Sequence, residues 1–134
     1  MKKAVMFSAL ALTLGACAPM TVDPNVLTLN VATDAVKGQY LTGAEGKTIY
    51  TFKNDTANQS ACVGQCLTNW PAVTASSGVQ ISPELRGKLQ VIRRADGTEQ
   101  LTYNGMPLYY WAKGMTPGDV SGDGVNNVWM LARP

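Results

Sequence analysis

Hydrophobic and polar positions in this chain alternate in short runs rather than recurring at helical spacing. Beyond residue 26, Leu27–Ala32, Gln39–Thr42, Thr48–Lys53, Leu89–Arg93, Gln100–Tyr103, Leu108–Trp111 and Val128–Ala132 read as β-strands bounded by glycine or polar turn residues. Ala44-Glu45-Gly46, Ala95-Asp96-Gly97 and Asn104-Gly105 each put glycine where a hairpin needs positive φ. These turns predict pairing of 39–42 with 48–53, of 89–93 with 99–103, and of 100–103 with 108–111. Residues 61–70 differ. Cys62, Cys66, Leu67 and Trp70 follow one another at helical spacing, and Pro71 ends the turn. Residues 74–88 read as a surface connection, with Ser82 and Pro83 suited to open one helical turn.

The pattern then recurs. A shift of 59 positions lays Gly38 on Gly97, Gly46 on Gly105, Tyr50 on Tyr109 and Trp70 on Trp129 without a gap, and sets Ile49 against Leu108 and Phe52 against Trp111. Two of the three Trp residues coincide. Two copies of one unit are expected, about 35–73 and about 89–132, each too small to bury a core alone. The expected fold is all-β: a single small domain, residues 27–134, of two pseudo-symmetric antiparallel β-meander repeats with one short helical turn at the Cys-x3-Cys, packed through their aromatic faces.

The first residues change the picture of the compartment. Lys2 and Lys3 precede a short apolar run from Ala4 to Leu14, a signal-peptide pattern too short to span a bilayer. It ends in Leu14-Gly15-Ala16-Cys17, which resembles the lipobox of bacterial lipoproteins. The expectation is a signal peptide over 1–16, lipid on Cys17, and a tether over 17–26. Ala18 lacks the Asp that favours inner-membrane retention, a lean toward the outer membrane in a Gram-negative cell. Of eleven basic residues, Lys2 and Lys3 leave with the signal, so nine remain against nine acidic ones. Nothing in that balance points to nucleic acid; the membrane is expected as a partner through lipid alone.

Cysteine usage agrees with export. Once Cys17 carries lipid, Cys62 and Cys66 remain as a pair in an oxidising compartment, where a structural disulfide is expected. A redox couple would favour Cys-x2-Cys with a basic neighbour. Haem attachment needs a histidine, and the chain has none. Zinc needs further soft ligands.

These residues resemble the bacterial secreted-repeat lipoproteins of unknown function. The family motif, Tyr-x-aromatic-x-x-Asp, corresponds to Tyr50, Phe52 and Asp55, followed by Cys62, Cys66, Trp70 and Pro71. The second copy matches with Tyr109, Trp111 and Trp129, but carries Gly114 in place of Asp and has no cysteines. The resemblance covers about 30–134 and implies no agreed activity.

Other chemistry is thinly supported. The rings of Tyr50, Phe52, Trp70, Tyr103, Tyr109, Trp111 and Trp129 read as core, with Tyr110 and Tyr40 the candidates to face outward. Asp119 to Gly124 imitates the start of a calcium loop, yet Met130 stands where the chelating Glu belongs. Met20, Met106, Met115 and Met130 show no spacing suited to copper. Asp55, Asp119 and Asp123 are the carboxylates available for acid–base work, without any recognisable catalytic motif. The expectation is a non-enzymatic, cofactor-free and metal-free envelope lipoprotein, a binding module for an unknown envelope partner or small ligand. Its candidate contact loops, Asp55–Cys62 and Lys113–Asn127, contain Asp55, Asn58, Asp119 and Asp123. The competing expectation is an envelope redox or metal-handling factor using Cys62/Cys66 or Met and Asp side chains.

Overall fold

A computed structural model describes residues 25–75 and 78–134. The expected signal peptide, the expected lipidation site Cys17 and most of the expected tether lie outside the described residues. Among the described residues the regular structure is mostly strand, with one short α-helix. It runs β1 (Leu27–Asp34), β2 (Gly38–Thr42), β3 (Tyr50–Phe52), α1 (Gln65–Asn69), β4 (Val79–Ile81), β5 (Leu89–Arg93), β6 (Glu99–Tyr103), β7 (Met106–Pro107) and β8 (Trp129–Leu131). The strands form three small sheets, ordered β2-β1-β4, β3-β8 and β5-β6-β7.

The pairing of β5 with β6 is as the turn chemistry predicts. Asn104 and Gly105 turn at φ of 51° and 82°, joining β6 to β7; β7 is Met106–Pro107 and not the expected 108–111, where Tyr109 instead bridges Tyr50 and Ala72. Other expected pairings are corrected. β2 pairs with β1, not with 48–53, which it meets only through a Thr42–Thr48 bridge. β3 pairs with β8, at the far end of the sequence. Residues 79–81 are strand rather than plain connection, and run parallel to β1.

Backbone bonds show why the distant partners win: each copy gives its last segment to the other. Ala132 N donates to Ile49 O and Leu41 N to Ala132 O, while Val73 N donates to Leu108 O and Leu101 N to Val73 O. These are the same contacts with the copies exchanged. On the pseudo-axis Tyr50 and Tyr109 bond each other reciprocally, at 2.8 and 3.0 Å. The repeat is not gapless, however. Val31 pairs with Leu41 and Val91 with Leu101, so the hairpins superpose at a shift of 60 while Tyr50 and Tyr109 keep 59. A one-residue difference in the turn after each hairpin restores the phase.

The core has two parts. One is aliphatic and built on paired positions: Leu41 with Leu101, Ile49 with Leu108, and Val73 with Ala132. The other is aromatic and holds Tyr40, Tyr50, Cys62, Trp70, Tyr109, Trp129 and Leu131. Tyr40 and Tyr110 are both buried, against the expectation that they face outward. Tyr110 closes over Gly43 and accepts the N–H of Ala44, so its ring caps the aliphatic core.

Candidate functional site

The motif aromatics converge. Phe52 stacks on Trp129 at 4.3 Å, Trp129 on Trp70 at 3.8 Å, and Trp70 on Trp111 at 4.0 Å. The ladder obeys the pseudo-symmetry, with equivalent Trp residues inside and Phe52 and Trp111 as half-buried ends. Tyr50 meets Trp70 edge-on at 5.4 Å, and Tyr109 meets Trp129 edge-on at 5.2 Å. Such geometries suit the ring quadrupoles and bury large area in a small domain.

Each tyrosine hydroxyl is held by the loop of the other copy. Tyr109 of the second copy donates to Asp55 Oδ2 at 2.7 Å. With its only proton engaged there, it accepts from Ser60 Oγ at 2.6 Å. Asp55 Oδ1 also accepts the Ala61 N–H. Behind Ser60 lies Arg94. Its Nη1 donates to Ser60 Oγ at 2.7 Å and to Gln100 Oε1 at 2.6 Å, and its Nη2 donates to the Cys62 carbonyl. Gln100 continues the network by donating to Leu108 O. The Cys62–Cys66 disulfide closes this loop at the foot of α1, with Cα atoms 5.3 Å apart.

The second copy holds Tyr50 by other means. Tyr50 Oη donates to Asp119 O at 3.4 Å and accepts the Gly122 N–H at 3.2 Å, while Thr48 Oγ1 donates to Asp119 O. Gly122 must be glycine, because a Cβ there would lie 2.7 Å from Tyr50 and 3.0 Å from Trp70. Gly114 stands where the motif Asp would, and a Cβ there would lie 2.6 Å from Asp119 Oδ1. The carboxylate of Asp119, at the position equivalent to Ser60, thus fills the space of the missing Asp, and accepts from Ser121 N and Oγ.

Burial pushes both tyrosine hydroxyls up to about 12. The Gly122 N–H opposes this at Tyr50 and the charges of Asp119 and Asp123 add to it; at Tyr109 Ser60 opposes and Asp55 adds. Burial also pushes the Asp55 carboxyl up, outweighing Ala61 N–H, the Tyr109 hydroxyl and the Arg94 charge. For Asp123, burial is the largest influence and raises the carboxyl. The Lys37 and Leu131 hydrogen bonds, with the charges of Lys37 and Arg133, together hold it below the usual range.

The candidate contact residues therefore separate. Asp55 is buried and fully used inside the loop, which removes it from any contact surface. Asp119 and Asp123 are half-buried and engaged, and Asn58 is exposed. Among the described residues, no three His, Cys, Asp or Glu side chains gather to hold a metal ion. Met106 and Met130 line a cleft of about 420 Å³ beside Thr51 and Asp123, and Met115 packs on the aliphatic core. Sequence reading missed Arg94, Ser60 and Gln100. Only the pair Arg93-Arg94, where strand alternation sends one side chain inward, hinted at a buried cation.

No curated protein and no solved structure matches this chain. The family model described as a secreted repeat of unknown function matches twice, over 31–74 and 90–133. Those matches cover most of the chain and fit an extracytoplasmic protein; among the described residues no helix is long and apolar enough to cross a membrane. Both copies seen in the hydrogen bonding are thus copies of that repeat, and the chain belongs to the secreted-repeat family of unknown function.

Proposed function

We propose that this chain is a non-enzymatic binding module of the bacterial cell envelope, held to a membrane by lipid on Cys17 and displaying its two polar loops to a partner or small ligand. One observation carries the reading: each loop is clamped by the other copy's tyrosine, while polar residues beyond the clamp stay exposed. Asn58 and Gln59 in the first loop and Asn126 and Asn127, at the end of the second, are such exposed residues. Loops ordered before binding lose less entropy when they bind, which favours recognition. The sequence Leu14-Gly15-Ala16-Cys17 supports the anchor, and Ala18 the outer membrane.

A redox or metal role has less support. Cys62 is fully buried, and its carbonyl is held by Arg94. A reduction potential below about −300 mV, with no uptake of Cu(I), Zn²⁺, Ca²⁺ or haem, is expected of a structural bridge. A potential typical of exchange proteins would reverse this preference. The anchor is checked by mass spectrometry of membrane-extracted protein, which should give an acylated peptide beginning at Cys17. The binding role is checked by photo-crosslinkers placed at Asn58, Asn126 and, as a control, Glu84. The same adduct from both loops of intact envelopes, absent at Glu84, is expected; equal labelling at all three positions would contradict the reading.

A further inference from the structure

Arg94 is a buried cation without an ion pair. It is 8% exposed, and the acceptors of its Nη1 and Nη2 are a hydroxyl, an amide oxygen and a carbonyl, all neutral. Its Nε is sealed from solvent and meets no acceptor. The ion pairs among the described residues, Lys37–Asp123 and Lys47–Glu45, do not involve it. Its charge acts through space on the carboxylates of Asp55 and Asp96, but neither bonds it directly. A buried charge whose directly bonded partners are all dipoles is costlier to keep than one in a direct ion pair. The other copy makes no such arrangement. At the equivalent hairpin position Asp34 satisfies its own turn, accepting from Val36 N and Lys37 N.

Arg94 lines a cleft of about 230 Å³ together with Arg93, Asn58, Gln59, Ile92 and Val63, and no carboxylate is among the lining residues. We propose that this cleft binds the carboxylate of a small organic acid or of a peptide C-terminus. The proposal rests on the first loop being a contact surface. Arg93 is exposed and offers the planar fork that pairs a carboxylate through two hydrogen bonds. The amides of Asn58 and Gln59 supply further donors. Arg94 contributes positive potential from beneath without bonding the ligand. Ile92 and Val63, the latter 64% exposed, suit the carbon skeleton attached to the carboxylate. The volume is that of several waters at roughly 30 Å³ each, below the usual range for larger ligands, so the bound group is small.

The test is NMR titration of the full chain with sodium hexanoate, hexanamide, acetyl-Ala-Ala, its C-terminal amide, and inorganic phosphate. Saturable shifts at the backbone amides of 58–60 and 93–95 are expected for hexanoate and acetyl-Ala-Ala, with little response to either amide. The tighter of the two acids identifies the source, free acid or peptide end. R93Q, at an exposed position that leaves the buried network intact, should weaken binding about fivefold or more by removing a charge-assisted fork. Equal response to the neutral amides, tighter binding of phosphate, or unchanged affinity in R93Q would overturn the site. Crosslinking at Asn58 that persists while no carboxylate titrates removes this inference and leaves the contact loop standing; loss of both removes both.

Discussion

The two loops solve one problem with different chemistry. Each must hold the hydroxyl of a tyrosine that belongs to the other copy. The first does so with side chains: Asp55 and Ser60 grip Tyr109, Arg94 braces Ser60 and Cys62, and a disulfide closes the base. The second uses backbone, the Asp119 carbonyl and the Gly122 N–H, in a segment where glycine allows close approach. What persists between copies is therefore the exchange itself and the aromatic ladder it encloses. The fasteners differ, and of the two loops only the disulfide-closed one has a buried cation beside a cleft.

The ladder should be the most sensitive part, and equally so from either side. W70A and W129A each remove an inner ring with two stacked partners and one edge-on tyrosine. Each is expected to cost about 3–5 kcal/mol in denaturant unfolding. A much smaller loss in one of them would mean that the ladder is not shared evenly.

Converting one fastener into the other tests whether they are equivalent. G114D restores the motif Asp but collides with Asp119 and with the edge of Trp111, and should cost about 1–3 kcal/mol as an overpacked site. Gly114 lies outside the left-handed region, so its backbone accepts a side chain. Adding D119S rebuilds the Asp55–Ser60 pattern and should recover the part of the loss due to Asp119, read as coupling in a double-mutant cycle, while the contact with Trp111 Cδ1 at 2.8 Å remains. A neutral G114D would show that Asp119 does not occupy the vacated space.

Reduction of Cys62–Cys66 acts on one loop only. A loop this short should lose about 2 kcal/mol. Hydrogen exchange should quicken over 55–62 and not over 113–127; equal quickening would mean that the disulfide supports the whole domain.

The remaining effects appear only at the extremes of pH. Folded Tyr50 and Tyr109 ionise near 12 against 10.0 when unfolded. The stability they confer is full below pH 10.0 and is lost as pH rises through about 12. Y50F and Y109F should flatten that alkaline loss alike. Asp55 has no equivalent in the second copy. Its folded pKa is raised, so its contribution is full below pH 3.8 and is lost as pH rises through the folded value. D55N should remove that acid-side slope, and G114A should leave it unchanged.

Much of this was legible in the sequence. Alternation and turn glycines located β5, β6 and the turn after them, and the spacing of Cys62, Leu67 and Trp70 placed α1. The coincidence of Tyr50 with Tyr109 and Trp70 with Trp129 revealed the repeat. Strand exchange was not legible, because local turn chemistry favours neighbours in sequence and says nothing of Val73 reaching Leu108. The gapless alignment also hid the shift of 60 in the hairpins, since a one-residue difference before Tyr50 cancels it. The loop fasteners escaped because Ser60, Arg94 and Gln100 are individually unremarkable and gain their roles only by meeting.

The most direct test of reciprocal exchange is to make the two halves separately, residues 25–85 and 86–134, and follow thermal unfolding of each alone and of an equimolar mixture. Each half lacks the strand that completes it, so neither should melt cooperatively alone, and the mixture should regain one cooperative transition. A stable, cooperatively melting half would show that the copies are independent units packed side by side, and would contradict the account.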